Sequence, residues 1–254
     1  MAFLIDAPTI TDAWLQAVGH LSRHDRETFD LVVAIANPTP ALVDGRVVKA
    51  LDNLLRQRRF QDVITVRNTI FPVEIARSSH TRGELYTRYA RLLPRLRRFK
   101  ANRRGTYFER LINHTPIRDA EGVNQVEGII RTLEGELARR ELQQGPLAHI
   151  YEAQIYIPGR DNRPMGFPCM SSLSFHLDRV DLRLSATYRN QYYIQKALGN
   201  YLGLAELQCY IASAVGLRQG PLSVHAFHAE IDPEVSKRDV DDLLRACETL
   251  GHES

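Results

Sequence analysis

The stretch that most constrains the fold of this 254-residue chain is 173–186. Leu173, Phe175 and Leu177 alternate with polar residues, Asp178-Arg179 interrupts, and Val180, Leu182, Leu184 and Ala186 resume the alternation. A period of two on both sides of a short turn specifies an antiparallel hairpin with one buried face. That face needs a covering layer, and the rest of the chain supplies helices for it. Trp14, Leu15, Val18 and Leu21 share one face of a helix opening at Thr11, and helical spacing returns over 46–58 and over 121–133. A long helix runs from about 196 to 215, where Gly216 offers a C-cap, and a terminal helix covers about 236–249. Further strands are expected at 31–35, near 62–66, from 147 onward and at about 222–231. Helices and strands mix without a regular βαβ period, and no repeat or linker divides the chain. The expectation is one α+β domain over residues 1–254, a mixed or antiparallel sheet flanked by helices.

Composition narrows the function classes. Hydrophobic residues at 44% and charged residues at 25% fit a folded globular chain and exclude a disordered one. No apolar run approaches the roughly 20 residues that cross a bilayer, and Asp6 interrupts the N-terminal apolar stretch, so a cytoplasmic protein without a membrane partner is expected. A net charge of +3 is too small to drive nucleic-acid binding by itself. Residues 82–104 carry eight Arg and one Lys against Glu84 alone, with only Tyr86 and Tyr89 as stacking groups. The run therefore reads as a solvated helix face rather than a nucleic-acid surface. Only Lys49, Lys100, Lys196 and Lys237 among the basic residues are lysines. Guanidinium forks suit phosphates and carboxylates, and a GC-rich coding sequence gives the same skew. Cys169, Cys209 and Cys247 form no C-x-x-C pair, which fits a reducing compartment and excludes a cysteine-based zinc site.

Gly166-Phe167-Pro168-Cys169 stands directly before the hairpin, and Thr187-Tyr188-Arg189-Asn190 closes it. Cys169 alone reads either as a small buried hydrophobe or as a thiol held at a cleft. The hairpin returns Arg189 to the same end, where a guanidinium favours the nucleophilic thiolate. Arg189 alone reads equally as a strand-end surface arginine.

Pro168-Cys169, the strand pair, Tyr188-Arg189-Asn190, Asn200 and Gly216-Leu217 together resemble the thymidylate synthase superfamily. There a Pro-Cys nucleophile, a hairpin, Gln-Arg-Ser, Phe-Asn and Cys-Gly-Leu follow in that order, and the spacing here matches without gaps. Upstream, Asn124-Gln125-Val126, Ala138-Arg139-Arg140 and Tyr156-Ile157-Pro158 resemble further motifs of that family, and Tyr107 lies where it has an active-site Tyr-Gly. The resemblance covers about 105–232. It implies a homodimer paired through the sheet with shared active sites, and a pyrimidine nucleoside monophosphate as substrate. Cys169 would add to pyrimidine C6, making C5 nucleophilic toward the methylene carbon of 5,10-methylenetetrahydrofolate, the co-substrate. Asn200 would read the base, its amide donating and accepting at once. Arg189, a partner copy's Arg139 and Arg140, and more loosely Arg26, would hold the phosphate. Glu74, in Phe71-Pro72-Val73-Glu74, would be the proton-relaying glutamate; a surface glutamate is the other reading of it.

The chain also departs from that pattern. The serine after the phosphate arginine is Asn190, and the aspartate two further on is Tyr192. The family's sugar-holding His and Tyr fall on Glu230 and Asp232, carboxylates that accept but do not donate when ionised. This puts deoxyribose recognition in doubt. The segment from Cys247 to Ser254 is polar, where the synthases have an apolar tail that excludes water. Water capture, giving a hydroxymethyl product, is therefore favoured over hydride transfer. Thymidylate synthesis proper and a catalytically retired nucleotide- or RNA-binding protein stay open as alternatives.

Overall fold

The computed structural model describes residues 2–115, 121–142, 150–162 and 168–251. Gly166, Phe167 and the last three residues of the polar C-terminal segment lie outside them. Strand β1 (Phe3–Ala7) leads into α1 (Ile10–Arg23) and β2 (Glu27–Ile35). Helices α2 (Gly45–Gln57), α3 (Val63–Ile70), α4 (Val73–Arg77), α5 (Arg82–Leu96), α6 (Tyr107–Ile112) and α7 (Gln125–Glu141) follow. Then come β3 (Ile150–Gln154), the helical turn α8 (Pro158–Asp161), β4 (Met170–Asp178), β5 (Asp181–Tyr188) and β6 (Gln191–Tyr192). A π-helical turn (Tyr193–Ala197) opens α9 (Leu198–Ala214), and β7 (Arg218–Glu230) and α10 (Lys237–Gly251) complete the order.

The sheet order is β1-β2-β7-β5-β4-β3, with β6 added to the end of β7. The β4–β5 hairpin is antiparallel, as its alternation requires, whereas β5 runs parallel to β7 and β1 parallel to β2. The fold is thus α+β with a mixed open sheet and flanking helices. Register places one apolar layer across the sheet: Phe175 faces Leu184, Leu184 faces Leu222, Leu222 faces Ile35, and Ile35 faces Ala7. All five are buried, and α1 and α9 pack against the strands that carry them. The opposite row reads Glu152, Ser174, Ser185, Ser223, Ala34 and Asp6, exposed or half-buried throughout. Among the described residues no helix is long and apolar enough to cross a membrane.

Residues 62–66, expected as a strand from their β-branched run, instead open helix α3. The Asp62 carboxylate accepts from Thr65 N–H at 2.6 Å, and Asp52 accepts from Val63 N–H at 2.9 Å. Capping and packing against α9 override the intrinsic strand preference of Val63-Ile64-Thr65-Val66. The close approach of α3 is specified by two glycines on α9. A Cβ at Gly199 would lie 2.6 Å from Val66 Cβ, and one at Gly203 would lie 2.7 Å from the Arg67 carbonyl oxygen.

The basic run divides in two. Along α5, Arg82 pairs with Glu127 and Glu134 and Arg88 with Glu84, while Leu85 and Tyr89 face the core. That part is the expected solvated helix face. From Lys100 to Arg104 the chain has left the helix and lines a cavity.

Candidate functional site

Cys169 is placed by the backbone. Arg189 N–H donates to its carbonyl oxygen at 2.9 Å, extending the hairpin ladder beyond Met170 and Tyr188. Between Met170 and Ser172 the register slips, so Ser171 is an extra residue whose carbonyl accepts from Ile155 and Tyr156 N–H at 2.9 and 3.1 Å. A bulge of this kind re-aims the chain beside it, a common device next to sites. Cys169 is half-buried and opens into a cavity of about 590 Å³, which Tyr107, Asn190 and Asn200 also line. Tyr107 Oη accepts from Met170 N–H at 3.4 Å.

Burial pushes the Cys169 thiol up, the charges of Arg189 and Lys196 pull it down, and Glu230 opposes them. Burial raises the Tyr107 phenol well above its ordinary value, so it stands as a neutral hydrogen-bonding group at neutral pH. Lys196 lines the same cavity, its Nζ donating to Gln61 Oε1 at 2.9 Å. Burial lowers its ammonium while Asp232 and Cys169 raise it. The π-turn that carries Lys196 is held from two sides. Asp232 accepts from Ile194 N–H at 2.9 Å and from Gln195 N–H at 3.3 Å, and Trp14 Nε1 donates to the Tyr193 carbonyl at 2.7 Å. π-Turns within helices recur at functional sites.

The remaining sequence candidates fall at different distances from this cavity. Glu230 stands behind Asn190, accepting from its Nδ2 at 2.9 Å, so it orients a cavity residue instead of lining the cavity itself. Asp232, expected at a sugar, is buried beneath the π-turn, because two backbone N–H groups there need an acceptor. Arg26 Nη2 donates to the Val235 carbonyl at 2.6 Å and ties down the turn after β7. Glu74 is exposed on α4, 3.7 Å from Arg77 Nη1. Arg140 donates to the Arg179 carbonyl at 2.7 Å, at the turn of the hairpin. Arg139, its neighbour on α7, also lies outside the cavity lining. At ~3.3 Å per residue, β4 separates the hairpin turn from Cys169 by roughly 25–30 Å.

The cations that do line the cavity are Lys100, Arg103, Arg104, Lys196 and Arg110. Arg110 is already bound to buried Asp161 by two hydrogen bonds, at 2.5 and 2.9 Å. No carboxylate lines the cavity among the described residues. Sequence reading missed the Lys100–Arg104 arch, although Arg103-Arg104 lies three residues before the expected Tyr107. It also missed Lys196, whose signal is a lysine at the mouth of the otherwise apolar helix that runs on through Ala197 and Leu198. A thiol, amides that donate and accept, and several cations around one space suit covalent capture of an anionic heterocycle. No family model matches the chain, and no curated protein matches it.

Proposed function

We propose that this chain is a homodimeric, thymidylate-synthase-like enzyme that transfers a one-carbon unit to C5 of a pyrimidine nucleoside monophosphate. Methylenetetrahydrofolate is the co-substrate and hydroxymethyl the favoured product. The observation that carries this reading is the meeting of Cys169, Tyr107, Asn190 and Asn200 on one cavity, with Arg189 hydrogen-bonded to the cysteine's backbone.

In this reading the Cys169 thiolate adds to C6, and the electron pair moves through C5 toward O4. Asn200 pairs with N3–H and O4, and the Lys196 ammonium stabilises the charge that develops on the ring. C5 then forms its bond to the donor's methylene carbon and loses its proton. Elimination of tetrahydrofolate, whose N5 takes up a proton, leaves an exocyclic methylene on the Cys169 adduct. Water adds to that methylene, and the thiolate is expelled as the C5–C6 double bond re-forms, giving the hydroxymethyl group. Lys100, Arg103 and Arg104 supply charge for the phosphate from within the same chain. Arg139 and Arg140 reach a cavity only from a second copy.

The open sheet face supports that pairing. Its central row of Ser174, Ser185, Ser223 and Ala34 carries only small, uncharged side chains, so two copies can stack isologously.

Tritium release from C5-labelled dUMP, UMP, dCMP and CMP, with methylenetetrahydrofolate, tests the reading. Release from one nucleotide, abolished in Cys169→Ala, is expected. Dihydrofolate as co-product would identify thymidylate synthesis proper, and silence on all four nucleotides would sink the one-carbon reading.

A further inference from the structure

No Asp or Glu stands between Glu84 and Glu109, and the cations there outnumber those two carboxylates. Arg88 pairs with the first and Arg97 with the second. Arg91, Arg95 and Arg98 follow at helical spacing along the outer side of the last turns of α5 and just beyond its end. All three are exposed, on a stripe about 10 Å long. Lys100 and Arg103 continue that stripe into the cavity wall. None of these five has an ion-pair partner among the described residues. Between Arg98 and Lys100 stands Phe99, 65% exposed. The segment is held in shape. Arg97 is bound to buried Glu109, Asn102 N–H donates to the Phe99 carbonyl and Gly105 N–H to the Asn102 carbonyl, both at 2.9 Å, and Arg160 Nη2 donates to the Arg104 carbonyl at 3.2 Å. Gly105 turns the chain back toward α6 at a φ of +92°, where a Cβ would meet Glu109 Oε2 at 2.7 Å.

Like charges at helical spacing repel one another, a cost that a polyanion laid along them removes. A free nucleotide with its phosphate at Lys100 and Arg103 leaves Arg91, Arg95, Arg98 and Phe99 outside the contact, whereas a strand of repeating phosphates engages all of them. An exposed aromatic ring set between cations suits a stacked base, because every base has a π-face. We infer that single-stranded nucleic acid lies along Arg91, Arg95 and Arg98, stacks a base on Phe99 and delivers a neighbouring nucleotide into the cavity. The strand is single because C5 and C6 of a stacked and paired pyrimidine lie out of reach of a half-buried thiol. The inference rests on the proposed function for the chemistry at the delivered base, and not for the binding surface. RNA and DNA share the phosphates and the π-faces, and separate arms distinguish them.

The test is fluorescence anisotropy of the full chain with labelled oligo(U) and oligo(dU) strands of about 12 nucleotides, and with a polyglutamate peptide of equal charge as competitor. Binding to at least one strand is expected, with log K falling against log[salt] at a slope of about −3, as four or five phosphate contacts give. Arg91→Gln, Arg95→Gln and Arg98→Gln together should bring the slope to about −1 and weaken binding more than tenfold. Phe99→Ala should weaken it about tenfold at an unchanged slope, which a bare patch of charge does not do, and Phe99→Trp should restore most of the loss. Binding to neither strand, displacement by the peptide as effective as by unlabelled strand, or an affinity indifferent to Phe99→Ala overturns the inference. Tritium release from C5-labelled strand and free nucleotide separates it from the proposed function. Release from free nucleotide with no strand bound leaves one-carbon transfer standing and removes the strand. Strand binding with the arginine and Phe99 effects, but silence from every C5 label, leaves the surface standing and removes the transfer.

Discussion

The Arg189 N–H and the Cys169 carbonyl are joined at 2.9 Å, one step past the last paired residues of the β4–β5 hairpin. The thiol is therefore positioned by main chain, and the charge of the Arg189 guanidinium pulls it down against the effect of burial. Arg189→Gln should move the pH profile of Cys169 alkylation by iodoacetamide to higher pH, because a cation that favours the thiolate is gone.

Lys196→Met makes the same prediction from the opposite wall. Its alkylation profile shifts upward in pH, and the rate at pH 7 falls. A profile superimposable on wild type would show that the ammonium does not act on the thiol.

Asp232 gives the fold a pH dependence of definite sign. Burial raises its carboxyl from 3.8 to about 6, so between those values the folded state holds the proton and the unfolded chain does not. The contribution to stability is complete below pH ~4 and is lost as pH rises through 6, by about 3 kcal/mol. Urea unfolding at pH 4 to 7 should show wild type losing this much relative to Asp232→Asn. Parallel curves would exclude it.

Asp161 is the only carboxylate bound to the buried Arg110 guanidinium among the described residues, and it also accepts from Ile157 N–H at 2.9 Å. Asp161→Ala leaves an uncompensated buried cation and should cost about 3–5 kcal/mol in chemical denaturation. Replacing both partners with apolar residues of similar volume should restore much of it.

At the α3–α9 contact, Gly199→Ala and Gly203→Ala each force backbone or Cβ atoms apart. A loss of about 1–3 kcal/mol is expected for each, despite the better helix propensity of alanine.

Sedimentation velocity checks the open sheet face. Wild type should run as a dimer, and Ser185→Arg, which places a charge in the middle of the uncharged row, as a monomer.

The hairpin, the thiol beside Arg189 and the α+β character were legible because strand alternation and chain order carry them directly. Residues 62–66 misled because four β-branched or apolar residues in a row say strand locally, while Asp62 and the glycines of α9 act through capping and tertiary contact. Arg26 and Asp232 were assigned to ligand by order along the chain. In the fold each satisfies backbone atoms of a turn, a demand that becomes visible only once the turns exist.

The π-turn before α9 draws its support from Trp14 on one side and Asp232 on the other, residues 179 positions from Tyr193 and 38 from Ile194 respectively. A chain in the course of synthesis thus carries its thiol well before it can shape the wall opposite. The wall that carries Lys196 takes its shape only once α1 and the turn after β7 have both docked, so a half-made chain has the thiol without that wall.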